Sequence, residues 1–189
     1  SKSNIETYCC PTAEYADFVY HQSKELIDKY HPSLFWNDVG WPKAGENHLK
    51  HLLAHYYNVC EEAVVNDRFS SFYHGYLTKE YKSGVATRID KWEMCRGLGL
   101  SFGYNAMEND QNAISSKDLI DLLVSTVGNN GNLLVNVGPK ADGTIPDWQA
   151  ERLLALGKWL NINGEAIYGT RICERETIET DSVHMNFTQ

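Results

Sequence analysis

The chain has 189 residues, of which 42% are hydrophobic and 22% charged, and carries a formal net charge of -8 at pH 7. Such a composition describes a soluble, globular chain with a sizeable core and excludes a disordered one. The acids are spread along the sequence, whereas a nucleic-acid partner calls for clustered Lys and Arg, and no apolar run approaches the roughly 18 residues of a membrane helix.

Apolar residues Tyr15, Phe18, Val19, Leu26 and Ile27 recur at helical spacing and predict a helix over 12–30. His31-Pro32 ends it, because a residue before proline resists the helical region. A short apolar strand is expected at 33–37, a helix at 46–58 and a second strand at 62–66. An aromatic-rich stretch over 69–90 reads as a loop, and 92–95 with 101–105 as a strand region. Ser115 with Asp118 has the spacing of a helix cap, so a helix should run to about 127, where the Gly-Asn-Asn-Gly-Asn segment breaks it. Residues 133–137 read as a buried strand. Pro146 and Asp147 suit the first turn of a helix carrying Leu153, Leu154, Gly157 and Leu160 on one face, and 165–169 reads as a last strand.

Uniformly apolar strands alternating with helices predict an α/β fold with a parallel sheet. About five strand-helix units are expected. Polar residues gather at the C-terminal strand ends: Asn37-Asp38, Asn66-Asp67, Tyr104-Asn105 and Asn136. Barrel and open-sheet enzymes place their chemistry at that end. No glycine-rich phosphate loop is present, which leaves a nucleotide fold without support.

Two acids draw attention. Asp38 follows an apolar run, and Glu108 sits in a polar loop leaving a different strand. Cleavage of a glycosidic bond uses one carboxylate as nucleophile or stabiliser and another as proton donor. Trp36, Trp41, Trp92, Phe102 and Tyr104 could supply the flat walls that sugars favour, and Arg96 a fixed fork of donors. By spacing alone, turn acids and ordinary core aromatics explain the same residues. Asp67, Arg68 and Glu93 are expected to brace strands. His48, His51 and His55 have metal-compatible spacing on one helix, but they lie away from the strand ends, and neither metal nor cofactor is expected. Five scattered cysteines, an odd number, do not form a disulfide framework. With no signal-like leader, they favour a cytoplasmic, reduced chain.

The segments YHPSLFWNDVGWP, KWEMCRGLGLSFGYN, GNNGNLLVNVGPKADGTIPDWQAERLLALGKWL and NGEAIYGTR resemble successive blocks of glycoside hydrolase family 29, the α-L-fucosidases, across residues 12–171. The resemblance implies a (β/α) barrel that hydrolyses α-L-fucosides with retention through a covalent fucosyl-enzyme. Asp38 would be the nucleophile and Glu108 the acid/base. Trp36 would border the sugar and Arg96 contact it, with Trp92 and Tyr104 as further substrate contacts. The chain departs from the family pattern: it starts at the helix before the Trp-Asn-Asp strand and lacks the His-His pair expected ahead of it. The expectation is therefore an incomplete barrel over 1–171 and a tail over 172–189 standing for the family's β-sandwich. Its activity is expected to be weak and confined to a homo-oligomer that covers the open sheet edges. The alternatives are a decayed fucose-binding or scaffold fragment, or one piece of an enzyme completed by another chain.

Overall fold

The computed structural model describes residues 12–81, 89–173, 178–179, 184–185 and 187–189. Cys9 and Cys10 lie outside them. The chain groups into two compact units, Ser1–Thr78 and Lys79–Gln189.

In the first unit, α1 (Ala13–Tyr30) begins where the Thr12 hydroxyl accepts the Tyr15 N–H at 3.2 Å, so one of the free amides of the first turn is satisfied. It ends at His31, whose left-handed φ of 44° lets its N–H reach the Ile27 carbonyl before Pro32 redirects the chain. Strand β1 (Leu34–Phe35) follows, then α2 (Glu46–Val59) and β2 (Val64–Val65). The strands are parallel, with Leu34 opposite Val64 and Phe35 opposite Val65. Leu49, Leu52, Leu53 and Tyr56 recur at helical spacing on α2 and bury against Ile27, Val65 and Phe69. Tyr56 is completely buried, and its hydroxyl donates to the Pro32 carbonyl at 2.7 Å, fastening α2 to the start of β1.

Strand β3 (Leu77–Glu80) lies inside the stretch expected to be loop. Its polar sequence offers no period-2 contrast, so only the fold reveals it. Beyond it, β4 (Trp92–Gly97) and β5 (Gly131–Asn136) run parallel, in the sheet order β3-β4-β5. Between these two comes α3 (Ser116–Gly128), capped as expected by Ser115, whose side chain accepts the Asp118 N–H. Asn130 at φ 69° turns the chain directly into β5. Gly131 sits opposite Trp92, where a Cβ would lie 2.6 Å from the indole; no larger residue leaves room for that ring.

Helix α4 (Asp147–Asn163) follows β5. Its expected apolar face is not the one it buries: Leu154 is exposed, and Gln149 is the buried residue, accepting the Gly138 N–H at 2.9 Å. The strand expected at 165–169 is instead a 3-10 turn, Gly164–Ala166, continuing directly from α4. No strand forms at 101–105 either. Two short antiparallel strands, β6 (Ile178–Glu179) and β7 (His184–Met185), complete the described elements. Strands β1 to β5 and the four helices follow in the order α1-β1-α2-β2-β3-β4-α3-β5-α4, part of an α/β barrel in which no helix separates β2, β3 and β4.

Candidate active site

The end of β1 is locked to the end of β2 by two asparagines. Fully buried Asn66 accepts the Asn37 N–H at 3.2 Å and returns a hydrogen bond to the Asn37 carbonyl at 2.9 Å. The Asn37 amide donates to the Arg68 carbonyl at 3.0 Å. This clasp extends the parallel pairing past the point where the strands formally stop, and Asp38 is the next residue out.

Asp38 is 60% exposed, yet its Oδ1 is held on two sides. The Arg68 guanidinium donates to it at 2.5 Å and the Val39 N–H at 2.8 Å. No hydrogen bond to Oδ2 occurs among the described residues, and the side chain as a whole is exposed. Val39 takes a left-handed φ of 52°, unusual for a β-branched residue, and Gly40 follows at 88°. A sharp turn thus drops the chain away immediately after the acid.

Arg68 is itself positioned. Its Nε donates to the Thr78 hydroxyl at 3.1 Å, while Thr78 donates through both N–H and hydroxyl to Asp67. Its guanidinium carbon stands 4.6 Å from the Trp36 ring centroid, a cation-π contact that also sets the plane of the indole. An exposed ion pair of this kind adds little stability. What the arrangement provides is a carboxylate of fixed orientation beside a cation and an aromatic face.

The sequence predicts Arg68 to brace strands; it also bonds the carboxylate of Asp38. The same strand-end rule that selects Asp38 on β1 applies to the Asn-Asp-Arg run after β2, and that signal was available. Arg96 belongs to the second unit. It shares a strand face with Trp92 and Met94, bonds the Gly97 carbonyl, and lies 5.4 Å over Tyr81. The cavity it lines, of about 540 Å³, also holds Asp118 and Asp121 of α3. Trp92 is 3% exposed, with its indole N–H on the Asn129 carbonyl at 2.8 Å. Buried against the α3–β5 turn, it cannot present a wall to a sugar, and the expectation for it is corrected.

In the second unit, Glu108 is buried, and its Oε1 accepts the N–H groups of Leu100 at 2.8 Å and Ser101 at 2.7 Å. Gly99 leaves the space for this carboxylate, since a Cβ there would fall 2.0 Å from Oε2. Tyr104 is half exposed, and both residues line a cavity of about 460 Å³ together with Lys140 and Trp148. Among the described residues no group of three metal-binding side chains occurs. His55 instead meets Asp28 at 2.5 Å, and His48 stacks on Tyr20. Cys60 is a buried free thiol. No helix among the described residues is long and apolar enough to cross a membrane.

Residues 1–165 match the family model described as Alpha-L-fucosidase. An alpha-L-fucosidase of Dictyostelium discoideum is 36% identical over 183 residues, covering 89% of this chain and 39% of the relative. The tissue alpha-L-fucosidase of Bos taurus is 41% identical over 158 residues, covering 78% of this chain and 34% of the relative. Among solved structures, the Thermotoga maritima alpha-fucosidase in complex with a mechanism based inhibitor superposes with a TM-score of 0.87 and 48% identity, over 95% of this chain and 41% of that one. The chain thus spans between a third and two fifths of the length of these relatives.

Proposed function

The chain belongs to the alpha-L-fucosidase family, and from that premise we propose that it takes part in hydrolysis of α-L-fucosides with retention of configuration, Asp38 being the nucleophile. The observation that carries this reading is the asymmetry of Asp38: Oδ1 is occupied by Arg68 and Val39, and Oδ2 is in no hydrogen bond among the described residues. A nucleophile needs one oxygen free for the anomeric carbon and an orientation fixed before the substrate arrives. Arg68 holds the carboxylate in place, and Trp36 offers the deoxy-sugar a flat apolar face. In the second half of the cycle, water displaces the sugar from Asp38, and the proton donor of the first step becomes the base.

Two carboxylates compete for that donor role. Glu108, as the family resemblance implies, lines a cavity and keeps Oε2 out of its amide clamp. Against it stand the two N–H groups that hold Oε1 in a structural clamp. Glu80, the last residue of β3, is partly exposed at a strand end and is the second reading.

The proposal also retains the division into a catalytic portion at 1–171 and a tail at 172–189, weak turnover, and assembly of identical chains. Exposed apolar side chains, among them Phe18, Leu34, Leu134, Leu154 and Ile162, support assembly. The decisive assay uses an aryl α-L-fucoside. Replacing Asp38→Gly should lower kcat by about a thousandfold or more, the scale of losing a covalent nucleophile. A rate equal to that of the unmodified chain rejects the proposal.

A further inference from the structure

Within the second unit, a cavity of about 300 Å³ lies where β4 and β5 start, between α3 and the segment that leaves α4. Its charge sets it apart. Lys91 and Arg171 both line it, and no Asp or Glu does, in a chain whose formal net charge is -8. The cavities around Glu108 and Arg96 hold two or more acids each. Both cations stand on backbone that is pinned. The buried Asn130 side chain donates to the Ile89 and Asp90 carbonyls at 3.3 and 3.2 Å, which fixes the residues leading into Lys91. Gly169 turns the chain at φ 69°, and Arg171 then exchanges two backbone hydrogen bonds with Gln189, at 2.7 and 3.0 Å. The Lys91 ammonium enters no hydrogen bond or ion pair among the described residues. Arg171 gives Nη1 to the Thr170 carbonyl at 2.9 Å, and its other donors are in no hydrogen bond among the described residues.

The rest of the lining is largely apolar. Leu123 of α3 is buried, Leu133 of β5 is half-buried, and the ring of Tyr168 lies against Gly164, where a Cβ would fall 2.9 Å from it. Two cations in one small cavity repel, and an anion between them turns that repulsion into charge-assisted hydrogen bonds. We propose that this cavity binds a small organic anion, one oxyanion group on an apolar body, with the head at Lys91 and Arg171 and the body over Leu123 and Leu133. A bare inorganic anion would leave the apolar surface wet, and a neutral apolar ligand would leave both cations uncompensated. The volume is at the lower end for small-molecule sites, so a short chain or a single ring is the size class. The inference does not depend on the fucosidase reading.

The test titrates the 189-residue chain with octanoate, 1-octanol, octylammonium and inorganic phosphate, below micelle formation, and reads NMR chemical-shift changes. Octanoate should shift the resonances of Lys91, Tyr168 and Arg171 and bind at least about tenfold more tightly than 1-octanol or phosphate. Octylammonium should leave those resonances unmoved. Lys91→Gln and Arg171→Gln should each weaken octanoate binding by about fivefold or more, in chains whose distant resonances are unchanged. Arg171→Lys should restore much of the loss, and added salt should narrow the preference over 1-octanol. Equal binding of octanoate and 1-octanol, equal binding of octanoate and phosphate, or charge variants that bind as the unmodified chain does overturns the proposal. So does the absence of octanoate binding up to about 20 mM. Co-sedimentation with phosphatidylglycerol vesicles that both Gln variants abolish, without octanoate binding, overturns it as well by assigning the two cations to a lipid surface.

Discussion

At position 38 a carboxylate is bonded through one oxygen, and the groups that bond it are held by side chains further back: Thr78 and Asp67 fix Arg68, Arg68 fixes Asp38, and Trp36 lies beneath the guanidinium. This chain of contacts explains why the acid keeps its orientation on a turn that exposes it. The proton donor is decided by a different comparison. If Glu108 donates, Glu108→Gln should suppress turnover of fucosides with poor leaving groups by about a hundredfold or more, spare activated aryl fucosides, and respond to added azide. If Glu108 is the clamp its two amides suggest, the same variant lowers the melting temperature instead, and Glu80→Gln shows the kinetic pattern. Kinetics across a series of leaving groups separate the two outcomes. At this scale the sequence exposes Asp38 and Trp36 because an apolar run ending in an acid is visible without coordinates. It does not expose the distance from Arg68 to Asp38, which depends on how β1 and β2 pair.

At the level of elements, α1, β1, α2 and β2 form one cooperative core, and Tyr56 is the residue that makes its pH dependence readable. Burial pushes its phenol from 10.0 up to about 12. Below pH 10 the group is neutral in both folded and unfolded chains, so its contribution is fully present. Between pH 10 and about 12 the unfolded chain ionises first, and stability falls with rising pH. Tyr56→Phe removes that dependence and leaves the Pro32 carbonyl without its donor, a loss of about 1–2 kcal/mol at neutral pH. Urea unfolding of the two proteins should give stabilities that converge as pH climbs from 10 to 12; parallel curves would refute this role for the phenol.

The helices were legible because each carries a start or stop that physics fixes, such as Thr12, His31-Pro32 and Ser115. The misses share a cause as well. Polar Leu77–Glu80 has no alternation to detect. The apolar 165–169 segment looks like a strand in isolation but is taken up by the turn that extends α4. Gln149 replaced the leucines as the buried residue of α4 because the Gly138 amide needed an acceptor, a demand that no one-dimensional pattern records.

For the whole molecule, parallel strands with exposed apolar residues on β1 and β5, Leu34 and Leu134, carry surface that favours association. Light scattering at micromolar concentration should therefore report a multiple of the 21.5 kDa chain; a stable monomer removes assembly from the proposal. The family membership and the strand-helix order are independent of that result, whereas the proposed chemistry depends on a single oxygen atom. A mechanism-based fluorinated fucosyl reagent forms an adduct only where a nucleophile attacks the anomeric carbon. Mass-spectrometric peptide mapping after such treatment should find the label on Asp38. A label on any other residue, in a preparation that turns over an aryl fucoside, contradicts the assignment.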